Sequence, residues 1–486
     1  MLYAVMVVIT VGALACTTMI VRADAHRTAV RANLEQLRLR AIAWSGVQGV
    51  TLEMERQRGT LLDGGDPQLT REWTVWESGG RRGIVRLLPV VEGGDAVMRS
   101  ESACLDVNLA TAGMLAKLPG MSEDLAGRLV AARGAGGLSS PESLGAVPGF
   151  TADVLVGVED AGPKDAGVLA YLTAFASDVN QQMGLTREGR GHAGTPRVHL
   201  SQGWSPEVES SLKERVSVEG LAAARACLQA RGITTEAGVV EAVRKAGYGA
   251  GVSGEVLDVL TVRDDAYPRG RIDVNRASAE VLACVPGFDA TSAERAMASR
   301  AGVSAEDRRN PAWLVDAGVL TDEQFKEASG WIATRSLVWR VRLEAVIEAA
   351  GETSADTRVE GRMEWEAVVD AAGPEARLAY LRDVTFVRQA VMRVTEAEAR
   401  EAEARAREPA VAEEPPPPAV PPPGPGAAER EQRRRAPIGT SRAAGVNPEA
   451  KDARSEGQAV DQEETRARSA PSFQDRRIGR WRGRGV

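Results

Sequence analysis

No charged residue appears between Met1 and Val21, and nothing else in this chain constrains its fold as much. Residues rising about 1.5 Å each carry that run across roughly 31 Å, one hydrocarbon thickness, so a single helix can cross a membrane there. A cleaved signal peptide has a basic start and a shorter apolar stretch. Nothing basic precedes Leu2, and residues 1–21 therefore read as a retained transmembrane helix. Arg22, Arg27 and Arg31 follow at once, which the positive-inside rule places in the cytoplasm. The helical pattern continues without a break. Val30, Leu34, Leu37, Ala41 and Trp44 recur at spacings of four and three, with Arg31, Glu35, Arg38 and Arg40 between them and neither Pro nor Gly before Gly46. Residues 22–62 are thus expected to form an amphipathic rod whose stripe packs on the chain's own globular part or on other subunits.

Two segments 167 residues apart resemble each other: LDVNLATAGMLAKLPGMSEDLAGRLVAAR (Leu105 to Arg133) and IDVNRASAEVLACVPGFDATSAERAMASR (Ile272 to Arg300). They share the Asp-Val-Asn start, a hydroxyl residue placed to cap a helix (Thr111, Ser278), a leucine (Leu115, Leu282), a Pro-Gly turn and a closing arginine. Each reads as helix, tight hairpin, helix. A third Pro-Gly hairpin, LGAVPGF (Leu144 to Phe150), follows the first at tandem distance, and PRVHLSQ (Pro196 to Gln202) is a fainter echo of the strand-like start. The turns are Pro119-Gly120, Pro148-Gly149 and Pro286-Gly287. Such modules resemble helix-hairpin-helix units, in which a phosphate-binding turn reads Gly-x-Gly so that backbone N–H groups approach the phosphate. Here the second glycine is replaced by Ser122, Thr151 and Asp289, which read as N-caps, and structural packing is the expected role.

Strand-like stretches flank this helical block: Trp73 to Trp76 and Gly83 to Val91 before it, and Leu337 to Ala349, Arg358 to Val369 and Arg377 to Phe386 after it. They suit one sheet with the helical block inserted, or two separate small β units. The end differs in material. Of 24 prolines, 12 lie after residue 405, including PPPPAVPPPGPG (Pro415 to Gly426), a polyproline II spacer, and the last 21 residues hold seven arginines against Asp475 alone. The whole chain of 486 residues carries −7, and from residue 396 onward 17 Lys or Arg nearly balance 16 Asp or Glu, so the part before it is acidic. That argues against a nucleic-acid groove. Arginine outnumbers lysine 54 to 6, which reads as a base-composition habit.

No catalytic pattern is present: no GxxxxGK[ST], GxSxG or HExxH. The three histidines, His26, His192 and His199, lack metal-ligand spacing, and no cofactor or metal is expected. Cys104, Cys227 and Cys284 allow at most one bridge and read as buried small side chains; the carboxylates read as solvated helix faces.

The long helix, the flanking strands, ESACLDVNLATAGMLAKLPG (Glu101 to Gly120), GRIDVNRASAEVLACVPG (Gly270 to Gly287) and TRSLVWRVRLEA (Thr334 to Ala345) together resemble the K-type minor pseudopilin of the type II (general) secretion pathway, over roughly residues 1 to 390. The resemblance implies an α+β fold: a transmembrane helix (1–21), an amphipathic helix (22–62), a pilin-like antiparallel sheet in two parts (70–104 and 334–390) and a helical insertion (105–333, with repeats at 105–133, 144–160 and 272–300); the Pro/Arg-rich tail (391–486), read as disordered from its composition, has no counterpart in that family. It implies an assembly part and not an enzyme. Such a subunit is held in the inner membrane with its C-terminal part in the periplasm, and caps or initiates the pseudopilus tip beside other minor pseudopilins and the inner-membrane platform. Val5 stands where most pilin-like subunits carry a glutamate, a residue that the K-type lacks. The resemblance also implies a basic leader upstream of Met1, which would resolve the charge conflict around Arg22. The alternative is a membrane-anchored helix-hairpin-helix DNA receptor of the competence type. The hairpin residues and the acidic body favour the pseudopilin.

Overall fold

The computed structural model describes residues 2–90, 95–134, 136–157, 167–349 and 358–386. Met1, the side chains of Ala4, Val5, Val7 and Val8, residues 158–160 of the 144–160 repeat, residues 387–390 of the second sheet part and the whole tail expected over 391–486 lie outside these described residues.

The chain opens with one helix, α1 (Leu2–Arg56), and a short continuation, α2 (Arg58–Leu62). Among the described residues, which leave out Met1 and the side chains of Ala4, Val5, Val7 and Val8, no helix is long and apolar enough to cross a membrane, so the transmembrane helix expected over residues 1–21 finds no support there. Strands β1 (Glu72–Ser78), β2 (Arg81–Leu88) and β3 (Met98–Ser100) follow. A first helical unit runs from β4 (Leu105–Asp106) through α3 (Ala112–Leu115), α4 (Glu123–Ala132) and α5 (Ala152–Val156) to β5 (Leu172–Thr173). The second runs from β6 (Val198–His199) through α6 (Pro206–Lys213), α7 (Val218–Gln229), α8 (Glu236–Lys245) and α9 (Ala250–Val259) to β7 (Leu260–Thr261). The third runs from β8 (Ile272–Asp273) through α10 (Ala279–Cys284), α11 (Ala290–Ser299), α12 (Trp313–Asp316) and α13 (Asp322–Ala328) to β9 (Ile332–Ala333). Strands β10 (Val338–Ala349), β11 (Arg358–Asp370) and β12 (Arg377–Asp383) close the described part.

Strands from both ends of the sequence build one antiparallel sheet in the order β1-β2-β10-β11-β12. Strand β10 is long enough to take two partners on one edge: Trp339 to Val341 pair with β3, and Arg342 to Ala349 pair with β2. The helical units therefore form an insertion, and its two ends meet where Ser100 Oγ donates a hydrogen bond to Ser336 Oγ at 2.7 Å. Period-two alternation in β10 explains its orientation. Trp339, Val341, Leu343, Ala345 and Ile347 join the core under α1, while Arg340, Arg342, Glu344 and Glu348 take the other face.

That second face corrects the reading of the carboxylates as solvated. Glu344, Glu348, Glu364 and Glu366 are all buried. Arg86 and Arg82 bond Glu348, and Arg340 bonds both Glu101 and Glu366. The arginine excess therefore does structural work: forked guanidinium groups hold buried carboxylates two at a time, which a lysine ammonium cannot do.

Each helical unit is closed by a two-residue parallel ladder between its opening and closing strands: β4 with β5, β6 with β7, and β8 with β9. The faint PRVHLSQ echo is the start of a complete unit. The first and third units, whose sequences match, share one core, whereas the second has its own around Leu212, Cys227 and Val256. The shared motif has a mechanical meaning. Asp106 and Asp273 end their strands and accept from the backbone N–H of Asn108 (2.8 Å) and Asn275 (2.9 Å). The asparagine amides then tether distant carbonyls, Leu138 for Asn108 and Thr334 for Asn275. The closing arginines reach back to the carbonyls of Ala110 (Arg133) and Ala277 (Arg300), locking the second hairpin helix onto the opening turn.

Candidate interaction surface and hairpins

Helix α1 contains 55 residues, roughly 82 Å at 1.5 Å per residue. Only its later part packs on the sheet. The buried seam is Leu39, Ile42, Ala43, Val47, Val50 and Met54, at the spacings of one helical face. Glycines let the surfaces approach: a Cβ on Gly46 would lie 2.9 Å from Val85 Cγ1, and one on Gly83 would lie 2.6 Å from Ile42 Cδ1.

The stripe anticipated from sequence is a different one. Val30 is 43% exposed, Leu34 48%, Leu37 60% and Trp44 44%, and Ala41 is exposed as well. At about 100° per residue the stripe and the seam have centres roughly 155° apart, so they lie on opposite sides of the helix. The stripe does not pack on the chain's own sheet, apart from Trp44, whose ring meets Trp365 edge-on with centroids 6.5 Å apart. Ala41 borders a groove of ≈ 360 Å³ between α1 and the edge strand β1, together with Arg38, Ile42, Ser45, Val75 and Trp76. Val5 lies on α1, and its side chain is outside the described residues.

The three hairpins share one geometry. Gly120, Gly149 and Gly287 have φ of 73°, 95° and 84°, the left-handed conformation that a Pro-Gly type II turn requires. The residues after them, Met121, Phe150 and Phe288, are buried and donate N–H bonds to Leu118, Val147 and Val285, three residues back. Ser122 and Asp289 cap the following helices through Leu125 N and Ser292 N, and Asp289 completes a capping box. Thr151 occupies the N-cap position of α5 but makes no side-chain cap bond, which corrects its assignment as a cap. Thr111 and Ser278 do cap, at Met114 N and Val281 N. Two turns face protein. A Cβ on Gly287 would fall under 3.0 Å from the Gln324 carbonyl oxygen, and one on Gly149 would lie 2.9 Å from Leu125 Cδ2. Those close approaches are to the chain's own helices, and the capped helix starts leave fewer N–H groups for a phosphate.

Cys104, Cys227 and Cys284 are buried and unbridged. Burial pushes the Cys227 thiol up to about 11 and the Cys284 thiol up to about 12. Among the described residues no group of three or more His, Cys, Asp or Glu side chains is placed to hold a metal ion. Sequence reasoning missed the buried ionic groups between the helical units, where Arg335, 1% exposed, donates to Asp178 Oδ1 (2.7 Å) and to the carbonyls of Val179 and Gln181 (both 2.8 Å). Its only signal was the arginine excess. No protein-family model and no curated protein matches the chain.

Proposed function

We propose that this protein is a minor pseudopilin of a type II secretion system, of the K-type, which assembles at or initiates the pseudopilus tip. The observation that carries this reading is the exposed apolar stripe of Val30, Leu34 and Leu37 on the side of α1 turned away from its own sheet, which Ala41 and Trp44 continue toward the sheet edge. An apolar face that the described residues leave uncovered on a long helix suits packing against neighbouring helices of the same kind. The split sheet under the later part of α1 and the insertion between β3 and β10 agree with the pilin-like layout that the sequence resemblance implies. The uncharged start of α1 is proposed as the inner-membrane anchor, with the sheet and insertion in the periplasm. The proposed partners are other minor pseudopilins, the inner-membrane platform and membrane lipid.

A photo-crosslinking residue at Leu37 should capture other pilin-like subunits in membranes, and one at the sheet-facing Val47 should not. Affinity purification from the same membranes should recover those subunits. Recovery of none, together with salt-sensitive micromolar DNA binding by residues 60–390, would replace this reading with the competence-type receptor.

A further inference from the structure

Where the second and third helical units meet the root of β10, arginines from three segments converge on a recess of ≈ 50 Å³. Arg197 precedes β6, Arg271 precedes β8, and Arg335 follows β9. Their carboxylate partners are already engaged. Asp178 is taken by Arg335. Glu236 is shared between Arg263 and Arg271, both at 2.6 Å. Asp258 turns its two oxygens to the backbone N–H groups of Met183 (2.7 Å) and Gly184 (2.9 Å).

Arg197 is left over. Its side chain is 8% exposed, its Nη2 lies 4.0 Å from Asp258, and its one hydrogen bond among the described residues runs from Nε to the Asp258 carbonyl at 3.1 Å. Beside it, the buried Arg271 Nε has no partner among the described residues. Of the charged side chains that line the recess, four arginines (Arg197, Arg271, Arg309, Arg335) face three carboxylates (Asp178, Glu236, Asp258), an excess of one positive charge, with Arg309 also reaching Asp63 at the rim. Burial first, then repulsion from Arg271 and Arg335, brings the Arg197 guanidinium down to about 10. Water can satisfy the free N–H groups but leaves that charge uncompensated, whereas an anion supplies both.

We propose that this recess binds one small inorganic oxyanion, of the size of phosphate or sulfate, held by Arg197 and Arg271. Forked guanidinium donors match the oxygens of such an ion. An ordered water needs about 10–15 Å³ by this measure of volume, so the recess has room for one small tetrahedral ion. Bound there, the ion ties the second unit to the third and to the sheet.

The full chain is dialysed into a buffer free of oxyanions, then melted in sodium phosphate or sulfate against sodium gluconate at constant ionic strength, with anions released on denaturation measured by ion chromatography. The expected result is a saturable rise of the melting midpoint by a few degrees with phosphate or sulfate, lost in Arg197→Met. About one oxyanion retained per chain supports the site equally. If Arg197→Met does not fold, Arg271→Met takes its place in the melts. No saturable rise and no retained oxyanion, chloride alone retained, or an equal rise in the variants overturns the proposal.

Discussion

The equivalent hairpin glycines, Gly120 and Gly287, allow a packing clash to be separated from backbone strain. Both have φ in the left-handed region, 73° and 84°, so alanine at either costs about 1–2 kcal/mol for an L-residue held there. Their surroundings differ. A Cβ on Gly120 would meet only Val168 Cγ1, at 3.9 Å, an ordinary contact. On Gly287 it would meet the Gln324 carbonyl under 3.0 Å and the Ala328 N at 3.3 Å, both backbone atoms of α13, which must shift as a body. Such overpacking adds about 1–3 kcal/mol. Gly120→Ala should therefore lose about 1–2 kcal/mol and Gly287→Ala about 2–5 kcal/mol. Urea unfolding followed by tryptophan fluorescence suits the test, because Trp313 belongs to the core that these units share and Trp331 packs against it. Equal losses, or a smaller loss at Gly287, would refute the reasoning that this glycine exists to admit α13, and would reopen its use for approach of an external ligand.

Four further outcomes follow from the same structure. Replacing Arg335 by Met should cost about 3–5 kcal/mol, since it strands the buried Asp178. Burial pushes the Asp178 carboxyl up, but Arg335, Arg197 and Arg271 more than offset this and hold it below the usual range. Its stabilisation is then full above the unfolded value of about 4 and is lost as pH falls through the lower folded value, so the stability gap between wild type and Asp178→Asn should narrow in acid urea titrations. Ser122→Ala should cost about 1 kcal/mol and Thr151→Ala less, because only Ser122 makes a cap bond; thermal melts read the difference. Cys104, Cys227 and Cys284 should resist alkylation at pH 8 until denaturant is added, as counted by mass spectrometry.

Features with a short-range physical cause were the legible ones. The alternation in Leu337 to Ala349 places β10, the hydroxyl caps mark α3 and α10, and the Pro-Gly pairs mark the turns. The resting face of α1 was harder to read, because the buried seam relies on Ala43, Gly46 and Val50, whose small side chains give a weaker pattern than the exposed leucines. The unit ladders contain only two residues per strand, too few for any periodicity, so the second unit showed itself only as a faint echo. Burial of Arg335, Arg340 and their carboxylates depends on which segments meet in space, and a local pattern of charge carries no sign of it.

The hydrogen bond between Ser100 and Ser336 joins residues 236 apart in sequence. A strand pair separated by so much chain normally waits on a slow search, since the entropy of closing a loop must be met before any contact rewards it. Here the intervening chain is ladder-closed unit by unit, and each ladder draws its own ends together over a far shorter span. Once the units have formed, the chain leaving β3 and the chain approaching β10 emerge side by side, already in register at Ser100 and Trp339. In kinetic terms the whole insertion then behaves as a tight turn, and the sheet can zip from that point toward β2 as a hairpin does.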